Sequence, residues 1–263
     1  MKLDCNKLRP TNAVKNNQYE VVKNIIKDGF DIKKVTDNIT GNTPLIIAVN
    51  NGYLDIVKLL IDSGVNIEDE DVKHRTSIMI ASDKGYLDIV KLLIASKANV
   101  NHQSDNELSS LLLVVSKVEN LTNYLEIMKE LLKAGADINH VNKLKFSALM
   151  LASIKGNINT VKFLTEKGAD IYLVNNDGDS AIMLARKWRR TDIVNYFMSI
   201  IMKTPKKQID EEQKQIEEQE KIILARIQPE IKKSNRDKKL RELVINNQKV
   251  KNALQLINSY FNN

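Results

Sequence analysis

The amino-acid sequence predicts an all-α solenoid of about six helix-turn-helix repeats with short hairpin-like tips, followed by a charged helical tail. The first observation is a register of hydroxyl residues at intervals of 33, 33, 38 and 33 residues: Thr43, Thr76, Ser109, Ser147 and Ser180. The second is that each of them opens a short apolar segment, which a second apolar segment of helical spacing follows. The third is that neither segment is long enough to bury its apolar face alone, so the units are expected to stack on one another.

One unit shows how each element is specified. Thr43 is expected to cap the first helix with its hydroxyl, and Pro44 occupies the first helical position, where a missing N–H costs nothing. Gly52 is expected to take the left-handed conformation that ends this helix. The second helix is predicted to begin at about Asp55, whose carboxylate lies at the positive end of the helix dipole, and Gly64 is expected to end it.

The second helices carry the clearest repeat. They read Y-L-D-I-V-K-L-L-I from Tyr53 and again from Tyr86, and Y-L-E-I-M-K-E-L-L from Tyr124. With a Thr-Pro-Leu start and a period near 33, the sequence resembles the ankyrin repeat over roughly residues 5–200. This resemblance implies an ankyrin-repeat domain over residues 1–202, with repeats near 12–34, 37–68, 71–101, 104–139, 142–172 and 175–200.

Several repeats depart from the pattern. Residues 12–34 have the polar surface expected of a terminal capping repeat. Lys97 and Arg189 stand where other repeats have glycine, and a non-glycine residue in the left-handed conformation typically costs about 1 kcal/mol. The fourth repeat has five extra residues between Val114 and Tyr124, which are expected to extend its first helix or to form a protruding loop.

The fourth residue of the family's Thr-Pro-Leu-His start is a histidine that forms hydrogen bonds between repeats. Apolar residues occupy this position throughout the chain: Ile46, Met79, Leu112, Met150 and Met183. Relative to the family pattern, apolar packing is therefore expected to replace a polar bridge between neighbouring repeats.

Residues 203–263 form the predicted charged helical tail. Ile209, Ile216 and Ile223 are seven residues apart, but the Glu and Gln residues between them do not favour a strong coiled coil, and Pro229 breaks the helix. A second tail helix has an apolar face that is expected either to cap the repeats or to bind a partner or a second copy: Leu240, Val244, Leu254, Ile257 and Phe261.

Charge and composition limit which classes of partner the chain is expected to bind. The tail has 14 Lys or Arg and 9 Asp or Glu, a net charge of +5 out of +7 for the whole chain. This mixture argues against a nucleic-acid clamp, which needs a surface of one sign with aromatic stacking groups. The single cysteine suits a reducing compartment, and the longest apolar run, Leu111–Val115, is too short to span a membrane. We therefore expect a soluble cytoplasmic protein, and the frequent use of Lys, Asn and Ile hints at an intracellular bacterium or a large DNA virus and thus at the cytoplasm of a host cell.

No arrangement of residues predicts catalysis. His102 and His140 occupy one repeat position and are expected about one repeat apart on a hairpin edge, too far to share a zinc ion. The chain has no glycine-rich phosphate loop, and its repeated serines read as helix caps. We expect no enzyme activity, no metal and no cofactor.

The ankyrin resemblance implies a partner protein that binds to the hairpin tips and to the exposed side of the first helices, which form a concave surface. Mapped onto this chain, the candidate contact residues are Asn42, Lys73, His74, Arg75, Asn106, Glu107, Lys143, Lys145, Phe146, Lys155, Asp177 and Trp188. For Trp188 the alternative is packing against the tail, and for the Lys and Arg residues it is simple solubility.

The sequence therefore predicts a non-enzymatic scaffold or adaptor that binds a partner protein, in one version a host-directed effector. Oligomerisation through the tail is one alternative. Recruitment of a ubiquitin ligase is another, since viral ankyrin proteins often end in an F-box-like segment, although no clear match to such a segment is present.

Overall fold

The computed structural model describes residues 10–117 and 122–203, apart from the side chains of Thr122 and Lys203. Within these residues the secondary structure is helical, and the only β pairing consists of isolated bridges. The chain divides into two compact units, Met1–Asp170 and Ile171–Asn263, called unit 1 and unit 2 below. The predicted all-α class is confirmed.

The helices follow one another in pairs of a short first helix and a second helix. In unit 1 they are α1 Pro10–Lys15, α2 Tyr19–Lys27, a 3-10 helix Ile32–Lys34, α3 Pro44–Asn51, α4 Leu54–Asp62, α5 Ser77–Lys84, α6 Leu87–Ala95, α7 Ser110–Ser116, α8 Thr122–Lys133, α9 Ala148–Lys155 and α10 Ile158–Glu166. In unit 2 they are α11 Ala181–Lys187 and α12 Thr191–Lys203.

The core of unit 1 lies between two layers of stacked helices. The first helices α1, α3, α5, α7 and α9 pack in sequence order, and the second helices α2, α4, α6 and α8 pack alongside them in the same order. The position that would be histidine in the family pattern lies in this core, because Ile46, Met79, Leu112 and Met150 are all buried. Met183, in unit 2, is only half-buried. Apolar side chains thus pack where the family has a polar bridge.

Thr43, Ser109 and Ser147 cap the first helices that follow them, whereas the side chains of Thr76 and Ser180 make no capping hydrogen bond. The hydroxyl of Thr43 accepts a hydrogen bond from the Ile46 N–H at 3.4 Å, and Ser147 caps α9 in the same way. Gly52 ends α3 in the left-handed conformation, with φ 75°. Lys97 and Arg189 take positive φ values of 67° and 55°, so both non-glycine substitutes are confirmed to occupy the left-handed region.

A tyrosine near the start of α6 and another near the start of α8 tie neighbouring pairs together. The ring of Tyr86 lies over Gly52, so closely that a β-carbon on Gly52 would come within 2.9 Å of Tyr86 Cζ. Tyr124 lies over Gly85 in the same way and donates its hydroxyl hydrogen to the carbonyl of Asp83 at 3.2 Å. Each of these contacts joins one helix pair to the turn of the preceding pair.

The insertion in the fourth pair does not extend the first helix, contrary to one of the two expectations. Helix α7 ends at Ser116 and has 7 residues, where α5 has 8. Helix α8 instead begins at Thr122, two residues before Tyr124, whereas α6 begins just after Tyr86. Because Tyr124 stays over Gly85, the extra residues must fit between Ser116 and Tyr124. Residues 118–121 lie outside the described residues, so the protruding loop stays a prediction.

The hairpin tips are turns closed by a polar side chain at their first residue. In the tip of α5, Asp71 Oδ1 accepts the backbone N–H groups of Lys73 at 2.8 Å and Arg75 at 3.0 Å. Asn142 and Asn175 do the same at the tips before α9 and α11. Such side chains mimic a backbone turn, which explains why Asp or Asn opens each of these tips.

Two of the carboxylates that close the tips are stabilised in the charged form. Burial alone would raise the pKa of Asp71, but hydrogen bonds from the Arg75 side chain and from backbone N–H groups outweigh burial and lower it. The Asp37 carboxylate pairs with Lys15 Nζ at 2.6 Å and accepts hydrogen bonds from Thr40, which hold its pKa well below the usual range. Asp37 thereby links the second pair to the first.

We expect Gly52→Ala to destabilise unit 1 more than Gly135→Ala. Both glycines have positive φ, 75° and 90°, so either alanine costs about 1 kcal/mol in backbone strain. Only the alanine at Gly52 also meets the Tyr86 ring, and such overpacking typically costs about 1–3 kcal/mol more. Urea denaturation followed by circular dichroism measures both losses. Equal losses would contradict a close contact between Tyr86 and Gly52.

We expect Asp71→Asn to lower stability at neutral pH and to flatten the acid side of the stability curve. Asparagine preserves the turn acceptor, as Asn142 shows, but removes the charge that Arg75 binds. Because the pKa of Asp71 is lowered by folding, its contribution is complete above the ordinary carboxyl pKa of about 4 and disappears as the pH falls through the folded-state value.

The gap in unfolding free energy between wild type and Asp71→Asn should therefore shrink from about pH 5 downwards. Urea titrations at a series of pH values measure this gap. Asp62→Asn, which changes an exposed carboxylate at the end of α4, is the matched control. A gap for Asp71→Asn that stays constant with pH would show that the charge of Asp71 is not what stabilises the tip.

Candidate partner-binding surface

Adjacent tips in unit 1 are joined edge to edge by backbone hydrogen bonds. The N–H of Asp105 donates to the carbonyl of Lys73 at 3.5 Å, and the N–H of Lys143 donates to the carbonyl of Asn106 at 3.1 Å. The tips before α5, α7 and α9 thus form one continuous edge. This edge brings together most of the predicted contact residues: Lys73, His74, Arg75, Asn106, Glu107, Lys143, Lys145 and Phe146.

A ladder of histidines supports this edge. His102 Nε2 lies 3.1 Å from the carbonyl of His74, and His140 Nε2 lies 2.7 Å from the carbonyl of Glu107. A carbonyl only accepts hydrogen bonds, so Nε2 carries the hydrogen in both histidines. Each therefore fixes the backbone of the preceding tip. The repeated V-N-H and I-N-H sequences predict that these histidines lie on the hairpin edge. They do not predict that each histidine holds the neighbouring tip.

Three tips in a row carry a strained residue at their turn. The tip before α3 has Gly41 in the left-handed conformation, with φ 70°. The next three tips have His74, Glu107 and Lys145 there, with φ 53°, 56° and 60°. At each of these positions the left-handed backbone lowers the free energy of unfolding by about 1 kcal/mol relative to glycine. The side chains of His74 and Glu107 are exposed and that of Lys145 is half-buried, so the strain presents charged or titratable groups at the surface.

Apolar side chains protrude from the tips as well. Ile39 is 88% exposed, Val72 77% and Leu144 60%. Large apolar residues with this much exposure usually mark contact surfaces when they occur together. Val72 and Leu144 were absent from the predicted contact set, although an apolar residue in an otherwise polar turn was a signal available in the sequence.

Arg75 is engaged within the protein. Its guanidinium binds Asp71 Oδ2 through Nε at 2.9 Å and Nη2 at 2.7 Å, and Nη1 lies 3.9 Å from Asp83 Oδ2. Asp83 also pairs with Lys117 Nζ at 3.0 Å. This cluster connects a tip with the ends of two first helices. Arg75 therefore maintains the shape of the surface, whatever else it contacts.

The other predicted residues differ in accessibility. Asn42 and Phe146 are half-buried, while Lys155 is exposed at the end of α9. In unit 2, Asp177 is exposed at the tip that precedes α11. Trp188 follows α11 directly and is 56% exposed. The predicted tail residues Leu240, Val244, Leu254, Ile257 and Phe261 lie outside the described residues.

Among the described residues, neither a metal site nor a membrane-spanning helix is found. Across residues 10–117 and 122–203, no group of three His, Cys, Asp or Glu side chains is arranged to hold a metal ion. In the same part of the chain, no helix combines the length and apolar character needed to cross a membrane. The tip edge, with its joined backbones and its strained residues, is the candidate functional site.

Comparison with known proteins agrees with the architecture. A family model described as ankyrin repeats (3 copies) matches residues 11–104 and 112–208. The chain is also similar to the crystal structure of an ankyrin repeat domain from Acinetobacter baumannii AYE, with 25% sequence identity and a TM-score of 0.64. The similarity covers 70% of this chain and 93% of that one. No curated protein sequence matches the chain.

The stacked helix pairs, the left-handed turns and the hairpin tips are thus accompanied by a family match over more than half of the sequence. The chain belongs to the ankyrin-repeat family.

Proposed function

We propose that this chain is a non-catalytic scaffold that binds a partner protein through the tip edge of unit 1. Ankyrin repeats are generally protein–protein interaction modules, and proteins built from them are generally non-catalytic. The proposed contact surface, here called the tip surface, consists of Ile39, Val72, Lys73, His74, Glu107, Leu144 and Lys145.

The observation that carries this proposal is the strain at three consecutive tips. Glycine would relieve the left-handed conformation at His74, Glu107 and Lys145, as Gly41 does one tip earlier. Backbone strain that a single substitution would remove tends to persist where the side chain has a functional role. The hydrogen bonds from His102 and His140 hold the strained backbone at His74 and Glu107 in place.

The character of the surface fits a protein partner. Apolar Val72 and Leu144 stand beside charged Lys73, Glu107 and Lys145, with both signs of charge along one edge. Protein interfaces combine a desolvated apolar centre with a polar rim in this way. A surface of mixed sign is poorly suited to the phosphate backbone of a nucleic acid, which attracts positive charge only.

A more specific role is part of the same proposal. In this role the chain is an adaptor in a reducing compartment and, in one version, a host-directed effector in the cytoplasm of a host cell. The single cysteine and the Lys-, Asn- and Ile-rich composition support this role. Tail-driven oligomerisation is the alternative, supported by the apolar spacing from Leu240 to Phe261. These two roles predict different effects of tip substitutions, because only the first needs the tips.

We expect Glu107→Gly and Lys145→Gly, combined in one chain, to raise stability while weakening partner binding. Each glycine relieves about 1 kcal/mol of left-handed strain. A residue with a purely structural role would not give this combination of opposite signs. Urea denaturation measures the first effect. The second is measured by the amount of partner that the immobilised full chain captures from cell lysate, followed by titration of that partner against each variant.

The matched control is Lys58→Ser with Lys91→Ser, which changes two exposed charges on the second helices α4 and α6. This control should leave capture unchanged. If the glycine variant retained full affinity for the partner while gaining stability, the tip surface would not be the site of recognition. Val72→Ser with Leu144→Ser then tests the apolar part of the surface separately.

A further inference from the structure

The strained residues of the three tips differ in what their side chains contact. His74 Nδ1 lies 2.8 Å from Glu70 Oε2, and His74 Nε2 lies 3.5 Å from Asp105 Oδ1 in the next tip. The imidazole of His74 therefore bridges its own tip and the following one. This bridge gives the left-handed residue His74, with φ 53°, a structural role inside the protein.

The other two strained residues have no such role. Across residues 10–117 and 122–203, no hydrogen bond or ion pair engages the carboxylate of Glu107 or the ammonium group of Lys145. Their backbones are left-handed all the same, with φ 56° and 60°. Glycine would adopt these turns without strain, as Gly41 does, so local structure does not explain a glutamate and a lysine there.

Glu107 and Lys145 occupy the same position in adjacent tips. The N–H of Lys143 donates to the carbonyl of Asn106 at 3.1 Å, which joins the two tips in register. The first helices that follow these tips, α7 and α9, pack side by side, and packed helices lie about 8–10 Å apart. Two unpaired groups of opposite charge thus stand along one edge at this spacing, and Leu144, which is 60% exposed, lies next to Lys145.

We propose that the tip surface binds a segment of the partner protein that carries a cation for Glu107, a carboxylate for Lys145 and an apolar side chain for Leu144. This inference rests on the proposed function and specifies the chemistry of its partner. A segment with charges of only one sign would be attracted by one of the two groups and repelled by the other. The two opposite charges therefore select a segment of mixed charge and fix how it lies along the edge.

The two charges contribute more to the choice of segment than to the strength of binding. An exposed ion pair typically changes an affinity by no more than about fivefold, because water and salt screen the charges. Apolar contact with Leu144 supplies binding to any segment that has a suitable apolar side chain. A segment with the wrong sign of charge loses an attraction and gains a repulsion at the same position, so the discrimination exceeds the effect of one ion pair.

The probe that tests this proposal is a display library of random peptides of about 12 residues, long enough to place two charges about 10 Å apart in a helix or in an extended segment. Peptides selected on the immobilised full chain are titrated against the wild type, Glu107→Lys and Lys145→Glu. Both variants keep a non-glycine residue in the left-handed turn, so they change the charge and not the strain.

The matched controls are Asp62→Lys and Lys91→Glu, which reverse exposed charges on the second helices α4 and α6. Circular dichroism confirms that each chain is folded.

We expect the selected peptides to carry a cation and a carboxylate with an apolar residue between them. Either reversal, Glu107→Lys or Lys145→Glu, should weaken their binding roughly tenfold at low salt, whereas the controls should leave binding unchanged. Replacing the cation of the peptide by glutamate should restore binding to Glu107→Lys and weaken binding to the wild type. Added salt should reduce this discrimination, because it screens exposed charges.

The contrary outcomes separate this inference from the proposed function. Suppose that the peptides lose binding to a chain with Val72→Ser and Leu144→Ser but bind both charge-reversed variants as well as the wild type. The charge pairing would then be wrong, and the tip surface would remain the site of recognition. Selection of peptides with charges of one sign only would also overturn the pairing. Binding that no tip substitution changes, or a library without any enriched peptide, would overturn both the pairing and the proposed function.

Discussion

The packing of one helix pair onto the next is the interaction on which this structure depends. No first helix of unit 1 exceeds eight residues, which is too short for stability in isolation. The apolar faces are buried because α1, α3, α5, α7 and α9 lie side by side. The tyrosines over Gly52 and Gly85 fix how two of the pairs pack on the preceding pair. Stability is therefore shared between neighbours, as expected for a solenoid.

This arrangement separates the residues that hold the fold from those that are free to serve recognition. The core and the tyrosine contacts lie along the helices, whereas the tips need only a polar first residue, such as Asp71 or Asn142, to close the turn. Arg75 is held by Asp71 and Asp83, whereas Val72, Lys73 and Leu144 are exposed and lie outside the helix core. Strain at Glu107 and Lys145, exposed Val72 and exposed Leu144 are tolerated for this reason.

Electrostatics acts at two different levels in the chain. In unit 1, carboxylates such as Asp71 and Asp83 are bound by nearby cations and belong to the structure of the tips and helix ends. In unit 2, positive charge gathers around an exposed tryptophan at residues 186–190. A surface of mixed sign on one unit and a positively charged stretch on the other suit different occupants.

The sequence by itself determined the repeat, the helices and their left-handed turns, and caps such as Thr43, because each depends on a few neighbouring residues. The side chains of Thr76 and Ser180, at the same position of the repeat, make no capping hydrogen bond. It did not reveal that Arg75 is held by Asp71 and Asp83, or that the extra residues near Tyr124 lengthen the second helix. Only the tertiary structure decided these points, together with the joining of three tips into one edge. The joining of the tips depends on contacts between different repeats, whose geometry is set by how the helix pairs stack, while the contacts of Arg75 depend on how its own tip folds against α5.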